Sequence, residues 1–126
     1  MNVVDSSGWL EYFAKDENSA FFAPVIQEIE SLIVPTISMY EVYKRTVLQR
    51  GEEDALSAIA WMSTGKVADL TQEIALAAAV LSLESKLPMA DSIILSTAQT
   101  HNATLWTQDE HFKDMEGVKY IEKKYK

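Results

Sequence analysis

Apolar residues occur along the chain in two kinds of run, and their alternation sets the expected architecture. Short continuous runs at Asn2 to Asp5, Leu32 to Val34, Lys66 to Leu70, Ala103 to Thr107 and Val118 to Ile121 have the length of buried strands. Between them apolar positions recur at helical spacing. Trp9, Tyr12 and Phe13 stand at i, i+3, i+4 after Ser6-Ser7-Gly8, with Ser6 or Ser7 as the expected N-cap. Phe22, Val25, Ile26 and Ile29 mark a helix from Ser19 to Ser31, in which Pro24 fits only the first turn. Pro35 stops the second strand. Ser38 opens a helix in which Tyr40, Tyr43, Val47 and Leu48 keep the period until Arg50-Gly51 closes it. A helix from Glu52 to Met62 turns Leu56, Ile59 and Ala60 inward. The next, from Thr71 to Ser85, is apolar nearly all round and rich in alanine, so it is expected to be central. The last opens at Pro88 and carries Asp91 in its first turn.

Strands separated by helices indicate an α/β fold with a mainly parallel sheet. No repeat, linker or low-complexity stretch interrupts residues 1–126, which are expected to form a single domain. Two helices fall between the second and third strands, and two more between the third and fourth. Strict up-and-down packing would then invert strand directions, so at least one helix of each pair is expected to lie crosswise.

Composition narrows the function classes. A chain of 126 residues buries roughly two-thirds of its unfolded surface, and 48% hydrophobic with 24% charged residues is ordinary for a soluble globular protein. Zero cysteines exclude a disulfide framework, a thiolate zinc site and a cysteine nucleophile. The start, M-N-V-V-D-S-S, has no basic leader or apolar signal core, and the run from Ile74 to Leu83 is too short to span a bilayer. A cytoplasmic protein without membrane attachment is the simplest account. The net charge of −8 argues against a high-affinity, non-specific nucleic-acid binder. It is compatible with an enzyme whose bound cations offset pocket acids, or with a protein held by a basic partner.

Four acids carry the candidate chemistry. In a parallel α/β sheet, ligands bind beyond the carboxyl ends of the strands, near the point where strand order reverses. Asp5 and Asp109 each follow a strand, and Glu41 stands near the start of the helix after the second strand. The side on which Asp91 lies depends on which helix runs crosswise. Each acid has a plainer reading. Ser38 to Glu41 fits a capping box, and so does Thr107 to Glu110, with Asp109 as a first-turn dipole partner. Asp91 can offset a helix dipole, worth about 0.3–1 kcal/mol, and Asp5 can be a turn aspartate. Together these readings weaken, because crowded carboxylates repel and raise one another's pKa, and a divalent cation removes that cost. An all-oxygen donor set suits Mg²⁺ or Mn²⁺ rather than zinc.

The residues V-V-D-S-S at the start, S-M-Y-E from Ser38, L-P-M-A-D-S-I-I-L-S-T-A from Leu87 and L-W-T-Q-D-E-H-F from Leu105 make the chain resemble a PIN domain, of the VapC-type toxin ribonuclease kind. The resemblance implies a three-layer α/β/α sandwich around a central parallel sheet. It implies a metal-dependent ribonuclease whose acidic positions fall on Asp5, Glu41, Asp91 and Asp109, with the hydroxyl of Thr107 in support. It also places Asp91 with the other three. A homodimer and a cognate antitoxin that sets a basic side chain in the acid pocket are implied too.

In that reading Asp5, Asp91 and Asp109 hold one or two Mg²⁺ or Mn²⁺ ions, and Glu41 orients a water. Lys44 and Arg45 are candidates for the RNA backbone, against a solvated helix face. His111 is read first as a surface residue of a short helix, and His101 as a partner of a helix dipole. Ser6 and Ser7 are read as caps. The competing readings are a non-catalytic PIN-like module holding RNA or protein, a receiver-type phosphoacceptor domain, and a DNA nuclease of the same fold.

Overall fold

The computed structural model describes residues 1–124, so Tyr125 and Lys126, the end of the expected solvated tail, lie outside the described residues. Five strands form one sheet: β1 (Asn2–Val4), β2 (Leu32–Pro35), β3 (Lys66–Ala68), β4 (Thr104–Thr107) and β5 (Val118–Tyr120). Their order is β3-β2-β1-β4-β5, and every pairing is parallel. Strand order therefore reverses between β1 and β4, where a parallel sheet opens a crevice. This order also differs from the 2-1-3-4-5 arrangement of receiver-type domains.

Strand alternation divides the core. Val4 and Val34 face one side with Trp9, Phe22, Ile26, Val42 and Met62. Val3, Ile33 and Leu105 face the other, with Ile94, Leu95 and Phe112. Helices cover both faces, which makes the three-layer sandwich. They are α1 (Ser6–Ala14), α2 (Ser19–Gln27), α3 (Thr36–Arg50), α4 (Glu52–Met62), α5 (Gln72–Ser85) and α6 (Met89–Thr100). Short 3₁₀ turns at Ile29–Ser31 and Glu110–Phe112 complete the described elements. The expected helix from Ser19 to Ser31 is thus an α-helix followed by a separate turn.

Each crossover as far as β4 uses two helices that pack on each other, α1 with α2, α3 with α4 and α5 with α6. Strand direction is kept throughout. Gly51, at φ +96°, is both the last cap of α3 and the first of α4, a backbone state that L side chains rarely adopt.

Several helix faces differ from expectation. In α3 the buried residues are Ser38, Val42 and Thr46, while Tyr40 and Leu48 are exposed. In α4 they are Ala55, Ala58 and Met62, while Leu56 is exposed. Small side chains took the inner face because the two helices of that pair approach closely. The expectation that α5 is central is also wrong. Only Ile74 and Ala78 of α5 are buried, and Leu83 is 83% exposed. The place against the sheet belongs to α6, buried continuously from Ser92 to Ala98, and α5 lies outside it.

Candidate active site

The carboxyl end of β1 runs directly into α1, and Asp5 is the joint. Its backbone N–H donates to the Trp106 carbonyl at 3.1 Å, prolonging the pairing with β4. Its side chain, rather than Ser6 or Ser7, caps α1: Oδ1 accepts from the Gly8 N–H at 2.9 Å and from Ser7 Oγ at 2.8 Å. Oδ2 accepts from Thr107 Oγ1 at 2.6 Å. Asp5 is only 2% exposed. Burial pushes its carboxyl up to about 7, although the bonds from Thr107, Gly8 and Ser7 pull the other way.

Gly8 lets the helix start so close to the strand. A Cβ there would stand 2.6 Å from Val4 Cγ1 and 2.7 Å from Phe22 Cε1. Next to the joint, Ser6 Oγ donates to Glu41 Oε1 at 2.6 Å, which ties the start of α1 to α3. The capping box expected from Ser38 to Glu41 is absent because α3 begins at Thr36. Ser38 lies inside the helix with a buried hydroxyl that has no partner among the described residues.

Asp109 follows β4 across a tight turn. Thr107 Oγ1 accepts from the Asp109 N–H at 2.9 Å while donating to Asp5, so one hydroxyl fixes both acids. Asp109 Oδ1 accepts from the His111 N–H at 2.9 Å, capping the 3₁₀ turn. Asp109 is therefore the cap of this turn rather than the first-turn dipole partner expected, with Glu110 in the first turn, and capping does not compete with a place in the site. Asp91 does stand in the first turn of α6, as expected, and that too leaves it free to face the site.

The fourth element adds Asp91, whose Oδ2 lies 2.9 Å from His111 Nδ1; the same nitrogen is 3.1 Å from Asp109 Oδ1. Burial raises the Asp91 carboxyl, opposed by the bond from His111. The imidazole is raised in turn, first by its bond to Asp91 and then by the charge of Asp109. Donor atoms of Asp91, Asp109 and His111 all lie within 4.8 Å of one another.

Asp5, Glu41, Asp91 and Asp109 line one cavity of about 610 Å³. Lys44, Arg45 and Tyr40 line its α3 side, with Lys44 Nζ 5.8 Å from the Tyr40 ring centre. Four of the five residues expected to carry chemistry thus face one space, and Thr107 is buried behind two of them. His111, read first as a surface residue, instead contacts two of these acids, Asp91 and Asp109. Its only sequence signal is its place two residues after Asp109, and nothing in the spacing reveals Asp91 across the turn. His101 is the C-cap of α6, its Nδ1 lying 2.9 Å from the Thr97 carbonyl.

A family model described as "PIN domain" matches residues 3–118. No curated protein matches the chain. Among solved structures, a toxin–antitoxin complex from Klebsiella pneumoniae is 26% identical, with a TM-score of 0.78 over 94% of this chain and 96% of that one. VapBC2 from Rickettsia felis, solved with a DNA fragment from its promoter, is 16% identical, with a TM-score of 0.74 over 96% and 97%. Mycobacterium tuberculosis VapC20, a sarcin–ricin loop cleaving toxin, is 14% identical, with a TM-score of 0.75 over 92% and 95%. The last two similarities concern shape alone. The family match covers nearly the whole of the chain that builds the sheet and its crevice, and on that ground this chain belongs to the PIN domain family.

Proposed function

We propose that this protein is a divalent-metal-dependent endoribonuclease, the toxin of a toxin–antitoxin pair, acting as a single domain over residues 1–126. One observation carries the reading: acids from four separate elements line a single cavity that two cationic side chains also line. The donor chemistry fits a metal. Asp5 is nearly inaccessible to water and its ionisation is penalised, a cost that a bound cation removes. Carboxylates with at most one imidazole suit Mg²⁺ or Mn²⁺.

Asp5, Asp91 and Asp109 would hold the ion, with His111 at their edge. When bound, it supplies positive charge that polarises the scissile phosphate and stabilises charge developing on it. The remaining work falls to this chain's own groups. Glu41, held by Ser6 through Oε1, orients the attacking water and takes its proton as the water oxygen bonds to phosphorus. The ester bond breaks, the departing ribose oxygen taking a proton from solvent. Lys44 and Arg45 bind phosphates flanking the scissile one, without reading bases. Thr107 holds Asp5 and the Asp109 backbone in register.

RNA as substrate is supported by the likeness in shape to a toxin that cleaves the sarcin–ricin loop. An antitoxin partner is supported by the likeness to a toxin–antitoxin complex at 26% identity. A homodimer in the cytoplasm completes the proposal; among the described residues, no helix is long and apolar enough to cross a membrane. The test is RNA cleavage with Mg²⁺ or Mn²⁺ by the wild type, Asp5→Asn and Asp91→Asn. Cleavage should disappear in both variants while the fold is retained. Undiminished cutting by both would remove these acids from the mechanism, and cutting of DNA in preference to RNA would reassign the substrate.

A further inference from the structure

Next to the cavity, three buried polar side chains from separate segments close on one another. Glu11 stands in the second turn of α1, Asn18 just ahead of α2, and Gln108 between Thr107 and Asp109; each is less than a tenth exposed. Glu11 Oε2 accepts from the Asn18 backbone N–H at 2.8 Å, and Oε1 accepts from Gln108 Nε2 at 3.0 Å. Gln108 Oε1 accepts from Asn18 Nδ2 at 3.0 Å, closing the triangle. Asn18 Nδ2 also donates to the Glu122 carbonyl at 3.0 Å, which pins the segment after β5 to the same point.

Burying a carboxylate and two amides is costly, and apolar side chains of similar volume fill such a space at no greater cost to stability. What apolar side chains cannot do is fix direction. Gln108 is flanked by the residue that bonds Asp5 and by Asp109 itself. Its Nε2 also donates to the Ser7 carbonyl at 3.3 Å, and Ser7 Oγ donates to Asp5. Every bond that holds Gln108 therefore constrains a neighbour that orients a site carboxylate.

We infer that Glu11, Asn18 and Gln108 form a positioning device. They fix the turn from Thr107 to Asp109 and so set the aim of Asp109 into the cavity and the affinity of the cavity for a divalent ion. The inference rests on the metal-site reading above. Glu11 is a positioning residue and touches no substrate.

The polarity of the triangle makes it testable by exchange. Gln108→Met removes its bonds at nearly constant volume. Glu11→Gln sets an amide N–H against another donor. The double variant Glu11→Gln/Gln108→Glu reverses the bond between them and keeps the charge, and the Asn18 donors still meet oxygens; of the bonds described, only the 3.3 Å bond to the Ser7 carbonyl is lost. Two readouts are taken. One is hydrogen exchange at the Asp109 and His111 amides, which bond Thr107 Oγ1 and Asp109 Oδ1, with Val4 as the reference. The other is Mn²⁺ affinity by calorimetry.

Each single variant should speed exchange at Asp109 and His111 selectively and weaken Mn²⁺ binding about 10–100-fold, the usual effect of losing an outer-shell partner. The double variant should restore most of both. Exchange that rises uniformly or nowhere, unchanged Mn²⁺ affinity in the single variants, or a folded double variant without rescue would overturn the inference. Wild type that binds no Mn²⁺ overturns the metal-site reading and with it the affinity claim, and the exchange pattern then decides the positioning claim alone.

Discussion

Asp5→Asn should make the metal-free protein more stable at alkaline pH, although it should also abolish the proposed cleavage. The native carboxyl is raised to about 7 from 3.8, chiefly by burial, and the whole gap is worth about 4 kcal/mol. The native state therefore holds this proton more tightly than the unfolded chain does. The resulting stability is fully present below the unfolded value and is lost as pH climbs through about 7. Between pH 5 and pH 8 the wild type should lose about 3 kcal/mol on this account.

Asparagine carries no such proton. Its Nδ2 would face Thr107 Oγ1, which already accepts from the Asp109 N–H, so the threonine proton loses its acceptor at a cost of about 1 kcal/mol. That cost is independent of pH. In EDTA the variant should thus be slightly stronger than wild type at pH 5, where the unfolded carboxyl has already ionised, and stronger by about 3 kcal/mol at pH 8. The raised carboxyl of Asp91 and the raised imidazole of His111 titrate in both proteins, so their contributions largely cancel in the difference. Urea unfolding at the two pH values measures it. Adding Mn²⁺ at pH 8 should reverse the ranking, because only the wild type keeps the full donor set. A stability difference that does not change between pH 5 and pH 8 would refute the reasoning, since Asp5 would then ionise as it does in the unfolded chain.

Two further outcomes follow from the cavity wall and the α1 joint. Replacing Lys44 and Arg45 together by alanine should weaken RNA binding and lower the salt dependence of the affinity by about 1.4 in the log–log slope, with Mn²⁺ binding retained; an unchanged slope would make them a solvated face. Gly8→Ala should destabilise by about 1–3 kcal/mol, because Val4 and Phe22 are fully buried and cannot yield to a methyl group; an unchanged urea midpoint would show that they can.

The strands were legible in the sequence because a sheet covered on both faces needs short continuous apolar runs, and Leu32, Ile33 and Val34 are buried whichever way they point. Asp5 and Asp109 were legible for a related reason, since each stands where such a run stops. Helix phase was not. In α3 and α4 large apolar side chains lie on more than one flank, and close pairing placed Ser38, Ala55 and Ala58 inside while Leu48 and Leu56 stayed outside. Apolarity also failed to rank the layers: α5 looked central, yet the more polar α6 took that place. The contacts of His111 and the triangle of Glu11, Asn18 and Gln108 join residues remote in sequence. Their geometry exists only after the sheet has formed.

Asp5 and Thr107 meet across 102 positions of sequence, and β1 has β4 as one of its two partners. Until β4 has slotted in between β1 and β5 and brought Asp109 with it, no fragment growing from the N-terminus holds all four acids. Long-range parallel pairing of this kind also forms slowly. On the function proposed above, a host making this protein is spared by the unfinished molecule itself, and the proposed antitoxin need only be at hand by the time the final strands dock.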